Sequence, residues 1–379
     1  MGDEGREPGH PASLEADVAT AERPAPDVDT PLDPAPREHE GGRRRFGRLR
    51  KFLIVLAVLS TIFALVAAGG LWYLTDRYGG NIERVGDVFS DLDDASRPAP
   101  ATPAQAAGDE PVTFLLVGSD TRLAAQTGQD PGGRSDAIML ARLSADREHA
   151  QLISIPRDSW VDIPGRGLNK INAAYAFGGP SLLIETVEQL TQVRIDHYVA
   201  IDFLGLIEVT DALGGVEVEV AETTTNGPYT FSAGTNVLDG LQARWYLAQR
   251  YGLPGGDFDR VRRQQQYLQS VFDKLFSTNT FTDPGRLDSA LLAFTGAVSV
   301  DDTLGNRDLL GLAFSMRDLR PENVAFFTAP VLGTGREGAA SVVYLDETAG
   351  ERMWEYLHND SLAENVDEFS QQTLPAVPR

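Results

Sequence analysis

Cysteine is absent from all 379 residues. That excludes a disulfide framework, a thiolate nucleophile and any cysteine-ligated zinc or iron–sulfur centre. Histidine is nearly as scarce: His10, His39, His149, His197 and His358 show no metal spacing such as H-E-x-x-H, which argues against metalloprotease chemistry. Basic charge is short too, with 33 Lys and Arg against 55 Asp and Glu and a formal net charge of -22, so wholesale binding to nucleic acid is disfavoured. Any arginine that does chemistry must be placed locally. Lysine occurs only at 51, 170 and 274, and 37 Gly and 22 Pro accompany abundant alanine, a bias that points to a GC-rich genome.

What is present divides the chain. Residues 1–42 are acidic, rich in proline and poor in large apolar side chains, and they read as a disordered tail. The basic block "RRRFGRLRK" (43–51) precedes "FLIVLAVLSTIFALVAAGGLWYL" (52–74), an uncharged run of 23 residues that is long enough to span a bilayer. Its flanking arginines place the N-terminus in the cytoplasm and everything after Asp76 outside, as an uncleaved single-pass anchor in the cell membrane. The tail contributes -8 and the basic block +6, so the remainder holds -20 and the acidity belongs to the external part. Residues 75–111 read as a stalk, with a short helix around 81–94 and then "SRPAPATPAQAAGDEP"; the folded domain is expected over 112–370, with 371–379 frayed.

From Val112 the pattern alternates. Strands are predicted at 112–118, 136–144, 150–156, 195–203, 216–220 and 323–330, and helices at 181–192, 203–213, 239–249, 259–276, 284–295, 305–317 and 346–357. The expected fold class is mixed α/β (α+β), a central mixed β-sheet flanked by helices behind one transmembrane helix.

The stretch "GDFDRVRRQQQYL" (256–268) concentrates arginine in an acidic chain. With Asp259 as the cap, Arg260, Arg263, Gln264 and Tyr267 share one helical stripe while Arg262 points elsewhere, so the helix can bury an apolar edge and face an anion. Four further stretches sit at strand ends or in loops: "LLVGSDTR" (115–122) with Asp120, "GRSDAIML" (133–140) with Asp136, "SIPRDSW" (154–160) with Arg157 and "LNKINAAYAFGG" (168–179) with Lys170. Taken singly, each fits ordinary capping, turn chemistry or a local ion pair. Together, two acids among several arginines suggest a hard cation bridged to phosphate oxygens.

The ordered set "LLVGSDTR", "GRSDAIML", "SIPRDSW", "KINAAYAFGG", "DALGGVEVEV" and "GDFDRVRRQQ", over roughly 112–276, resembles the LytR-CpsA-Psr family of bacterial cell-wall ligases. The resemblance implies a phosphotransferase that moves a glycopolymer from a polyprenyl-pyrophosphate carrier to peptidoglycan at the membrane, with no nucleic-acid partner. It implies Mg²⁺, with Mn²⁺ as a substitute, held by Asp120 and Asp136, and a pyrophosphate held by Arg157, Arg250, Arg260, Gln264, Arg263 and Lys170. Arg157, Asp120 and Asp257 are the expected catalytic residues. The family often has an arginine where this chain has Ala248, for which Arg244 or Arg263 are the candidate replacements. In an actinobacterial setting the polymer would be arabinogalactan or a similar heteropolysaccharide. A pyrophosphatase using water, or a non-catalytic receptor for wall lipids, would use the same pocket. An apolar groove for the isoprenoid is expected from Leu182, Leu183, Val187 and Leu190 together with Leu268, Val271 and Phe272.

Overall fold

A computed structural model of the chain describes residues 60–61, 73–100, 110–119, 135, 137–277, 280 and 282–378. The tail, the basic block and nearly all of the expected span at 52–74 lie outside them; none of the described helices is long and apolar enough to cross a membrane.

Apolar runs with little charge become strands buried on both faces. In chain order the first half comprises β1 (Glu83–Val85), β2 (Val112–Ser119), β3 (Ala137–Leu143), β4 (Ala150–Ser154), the hairpin β5 (Trp160–Ile163) and β6 (Gly167–Lys170), and helix α1 (Asn172–Thr191). Next come β7 (His197–Asp202), α2 (Phe203–Ala212), β8 (Val216–Val220), β9 (Thr224–Asn226), β10 (Tyr229–Phe231), β11 (Gly234–Leu238), α3 (Gly240–Ala248) and α4 (Asp257–Leu275). The chain closes with α5 (Pro284–Ala297), β12 (Val298–Asp301), α6 (Asn306–Ser315), β13 (Val324–Thr328), β14 (Val331–Glu337), β15 (Ala340–Leu345) and α7 (Glu347–His358).

Seven strands form the central mixed sheet in the order β1-β12-β7-β2-β3-β4-β13. The β1–β12, β2–β7 and β4–β13 pairs are parallel; the others are antiparallel. Alternation along the strands sends Leu115, Val117, Ile138, Leu140 and Ile153 into a core with α1 and α7. The intervening residues Leu116, Gly118, Ala137 and Met139 face α2 and α4 instead, where they line a small apolar cleft. A second core, built on Val209, Leu213, Tyr246, Tyr267 and Ala290, joins α2 to α5.

Four expectations are corrected. Residues 81–94 are not helical: Glu83–Val85 finds the open parallel edge of β12 and becomes a strand, and the following residues are turns. The domain therefore begins before Val112, and Arg77 secures its start through a 2.6 Å ion pair to Asp288 on α5. The C-terminal stretch from 371 is docked in part, because the Leu374 amide donates to Phe326 O (3.0 Å) and Gln372 O accepts from Thr328 (2.8 Å), covering the outer edge of β13. Helix α1 also starts earlier than the expected 181, with a kink at Gly178–Gly179 just before Pro180. Sequence periodicity registered only the half after the kink.

Candidate active site

Arg157 leaves β4 on a tight loop whose backbone is pinned to the start of α1: the Asn172 amide donates to Arg157 O (3.2 Å) and the Ile171 amide to Ser159 O (2.8 Å). Ser159 itself is buried and donates its hydroxyl to Pro156 O (2.6 Å). This framework fixes Arg157 and Asp158 beside Lys170, the last residue of β6, and Lys170 Nζ lies 3.0 Å from Asp158 Oδ1. Arg157, Lys170 and Arg250 line one cavity of about 480 Å³, whose polar wall also includes Asn169 and Asn172.

Helix α4 supplies the next guanidinium. Arg260 is 4% exposed and pairs with Asp257 at 2.8 Å, and the same Asp257 oxygen stands 3.8 Å from Arg157 Nε. One carboxylate in the first turn thus links the arginine of the helix to the arginine of the loop. Asp257 at this end also suits the positive pole of the helix dipole.

Asp259 is not the helix cap. Gly256 is, with φ of 56° in the left-handed region, and Asp259 lies inside the first turn, 1% exposed. Its carboxylate accepts from the Gly255 amide (2.7 Å) and pairs with Arg262 (3.2 Å), so it locks the glycine loop onto the helix. Arg262 points away from Arg157, as its position on the helical wheel predicts, towards Thr328 and Gln372.

Arg263 does not line the cavity of Arg157 and Arg250. It is fully buried, donates to Gln249 Oε1 (2.7 Å) and Thr224 Oγ1 (3.0 Å), and stacks over Tyr246 at 4.5 Å. Burial lowers its pKa and pushes the Tyr246 phenol up to about 12. Its guanidinium ties α4 to α3 and β9. Nor does Arg263 replace the side chain missing at exposed Ala248. Gln264, by contrast, sits at the apolar cleft with Leu268, Leu116, Met139, Ile201 and Leu206. Of the expected groove residues only Leu268 is there: Leu183 and Val187 belong to the core on the opposite sheet face, and Val271 to the core of α2–α5.

Asp120 and Asp136 lie outside the described residues, and among those described no cluster of His, Asp or Glu could hold a metal ion alone. The strand ends next to them do converge: Gly118 pairs with Ala137, and Ser119 with Asp202. Asp202, not foreseen from sequence, ends β7 with both carboxylate oxygens buried. Its only signal was an acid closing an apolar strand. Asp202 therefore stands at the edge where β7 meets the end of β2. Gln265 was also missed; its amide donates to Ser154 Oγ (2.8 Å) and Phe327 O (2.6 Å), holding α4 against the ends of β4 and β13.

A cavity lined by Arg157, Lys170 and Arg250 and an apolar cleft at Leu116, Gln264 and Leu268 are the concave features of this region of a mixed α/β domain. The chain belongs to the LytR_cpsA_psr family, whose model matches residues 88–359. It is 40% identical over 175 residues to a polyisoprenyl-teichoic acid–peptidoglycan teichoic acid transferase, TagU, of Enterococcus faecalis, covering 46% of this chain and 57% of that one. It is 33% identical over 285 residues to the cell wall biosynthesis protein LcpA of Corynebacterium glutamicum, covering 63% of this chain and 54% of that one. The chain thus spans little more than half the length of these relatives. Among solved structures, Bacillus subtilis TagV superposes with a TM-score of 0.53 at 27% identity, over 66% of this chain and 97% of that one.

Proposed function

We propose that this protein is a membrane-anchored, extracytoplasmic phosphotransferase that moves a glycopolymer from a polyprenyl-pyrophosphate carrier to peptidoglycan. The observation that carries the reading is the cavity of Arg157, Lys170 and Arg250, joined through Asp257 to Arg260 and built into a chain of net charge -22. Local positive charge of this density in an acidic protein suits a pyrophosphate. The apolar cleft beside Gln264 and Leu268 suits the first isoprene units. The basic block and apolar run at 43–74 support the anchor.

In the reaction, an acceptor hydroxyl attacks the phosphorus that carries the glycopolymer. A phosphodiester forms, the bond to the bridging pyrophosphate oxygen breaks, and polyprenyl phosphate leaves. Arg157 and Arg250 bind the pyrophosphate oxygens and stabilise charge as the bridge opens, while Asp257 orients Arg157 and Arg260. Asp120 is the proposed acceptor of the hydroxyl proton. Mg²⁺, when bound by Asp120 and Asp136, would neutralise phosphate charge. The proposed polymer is arabinogalactan or a similar heteropolysaccharide, in keeping with the lysine-poor, arginine-rich composition and the match to a Corynebacterium relative.

The test is to incubate the full-length chain with a polyprenyl-pyrophosphoryl sugar and Mg²⁺, with and without peptidoglycan. Polyprenyl phosphate release should fall about 10²–10³-fold in Arg157→Ala and Arg260→Ala. Sugar should appear on the glycan only when peptidoglycan is present. Release that needs no acceptor would replace the transferase with a pyrophosphatase, and binding without turnover in Mg²⁺ or Mn²⁺ would leave a lipid receptor.

A further inference from the structure

The transfer needs a second substrate, and the lysine of the anion cavity points to where it lies. In the β5–β6 hairpin Trp160 pairs with Lys170 and Asp162 with Leu168, so these four residues share one face. Lys170 lines the anion cavity; Trp160, Asp162 and Leu168 line a second cavity of about 500 Å³ bounded by β15 and α7. Directly opposed residues of a hairpin have their Cβ atoms about 5 Å apart, so the indole stands one cross-strand step from the lysine.

The second cavity has the composition of a sugar site. Trp160 is half-buried, Tyr344 is held by donating its hydroxyl to Glu337 Oε1 (2.8 Å), and the buried Trp354 also lines the groove. Four carboxylates line it and no Arg or Lys does. Asp346 caps α7 through the Ala349 amide (3.0 Å), while Asp162, Glu347 and Glu351 are exposed. Acids without a base repel a phosphodiester polymer, whereas apolar ring faces with acceptors at the rim suit the C–H faces and hydroxyls of a neutral pyranose. The two cavities share a rigid frame, since Ser159 bridges to Val343 and the Val343 amide donates to Asp158 O (2.9 Å).

We propose that this groove is the acceptor subsite: it takes a neutral N-acetylated glycan strand, stacked on Trp160 and hydrogen-bonded by Glu347 and Glu351, with one hydroxyl delivered past Lys170 to the phosphorus. The assignment of the ligand as acceptor rests on the transferase reading above.

Tetra-N-acetylchitotetraose is titrated into the full-length chain in detergent and followed by calorimetry and tryptophan fluorescence; Mg²⁺ with inorganic pyrophosphate is titrated separately. Trp160→Ala should weaken saccharide binding at least about tenfold and Trp160→Phe, which keeps a stacking ring, less than about threefold. Both variants should bind pyrophosphate like the wild type, which also shows that they fold. Saccharide affinity unchanged in Trp160→Ala, or no wild-type saccharide binding up to about 10 mM, a level weaker than the millimolar affinity expected of such a site, overturns the proposal and leaves the donor site standing. Failure of pyrophosphate to bind the wild type, with saccharide bound and lost in Trp160→Ala, removes the donor reading and keeps the groove as a saccharide site.

Discussion

Replacing Arg263 with methionine separates the structural arginine of α4 from those facing the cavity. Methionine keeps much of the apolar stem and removes the charge. The hydrogen bonds from the guanidinium to Gln249 Oε1 and Thr224 Oγ1 are lost, together with the stack on Tyr246. Bonds from a charged donor contribute about 1.5–3 kcal/mol each. A desolvated cation–π contact adds about 1–2 kcal/mol. Against that stands the cost of burying the charge, visible as the lowered pKa of Arg263, which the substitution recovers. Thr224 can still donate to Gln249, at 3.2 Å, which limits the loss further. The net is a destabilisation of about 2–4 kcal/mol, or roughly 3–7 °C in Tm for a domain of this size. Thermal unfolding by circular dichroism measures the shift, and calorimetry with Mg²⁺-pyrophosphate at 20 °C measures the site, where affinity should stay within about twofold. A variant that melts like the wild type but no longer binds pyrophosphate would refute the placement of Arg263.

Gly205 packs in α2 where a Cβ would overlap Cα and Cβ of Ala297, so Gly205→Ala should cost about 1–3 kcal/mol in chemical denaturation, with catalysis per folded molecule unchanged. Burial raises the pKa of Asp301, but hydrogen bonds from His197, Thr303 and the Tyr198 amide outweigh it, and the net shift is downward. A depressed carboxyl contributes stability above its unfolded pKa of about 3.9 and loses it as pH falls through the folded value. Asp301→Asn should therefore be less stable than the wild type at pH 7, and the gap should close below about pH 4 in urea titrations at several pH values. Ala248→Arg adds a cation two residues from Arg250, and a charge about 4 Å from a solvated anion contributes roughly 1 kcal/mol. Pyrophosphate affinity should rise about fivefold at low ionic strength and return to the wild-type value in 1 M salt, where the Debye length is about 3 Å.

Long strands were legible to within about two residues, because a continuous apolar run such as "VTFLLVG" and a strict alternation such as "VEVEV" each leave one reading. Short strands were not. Glu83–Val85 is stabilised by an edge more than 200 residues away in sequence, and no local pattern reports on that partner. The β5–β6 and β14–β15 hairpins were missed for a related reason: their outward positions carry mixed side chains such as Asp162, Asn169, Arg336 and Glu337, which blur the alternation. At the site, Arg157, Lys170 and Arg250 were legible as cations at strand and helix ends, and they do line one cavity. Helical spacing placed Arg260, Arg263 and Gln264 on a common stripe, yet three environments meet that stripe: an ion pair with Asp257, a buried amide network at Gln249, and an apolar cleft. Periodicity gives direction around one helix and says nothing of what is packed there.

Charge placement explains why arginine bears the load at this site. With about 20 excess negative charges in residues 52–379, an anion approaches against the mean field of the protein, and only a concentrated cluster can reverse it locally. Lysine, a flexible and strongly hydrated point charge, would be drawn to the surrounding carboxylates. Lys170 is indeed engaged by Asp158. Guanidiniums oriented by a carboxylate, as Arg157 and Arg260 are by Asp257, present their N–H donors in a fixed plane. The same acidity serves the neighbouring groove in the opposite sense, since its carboxylates exclude a phosphate polymer while remaining acceptors for hydroxyls. On this argument the two cavities are sorted by charge: a donor anion seated in the wrong groove meets repulsion alone, and a neutral glycan in the arginine pocket gains no charge attraction.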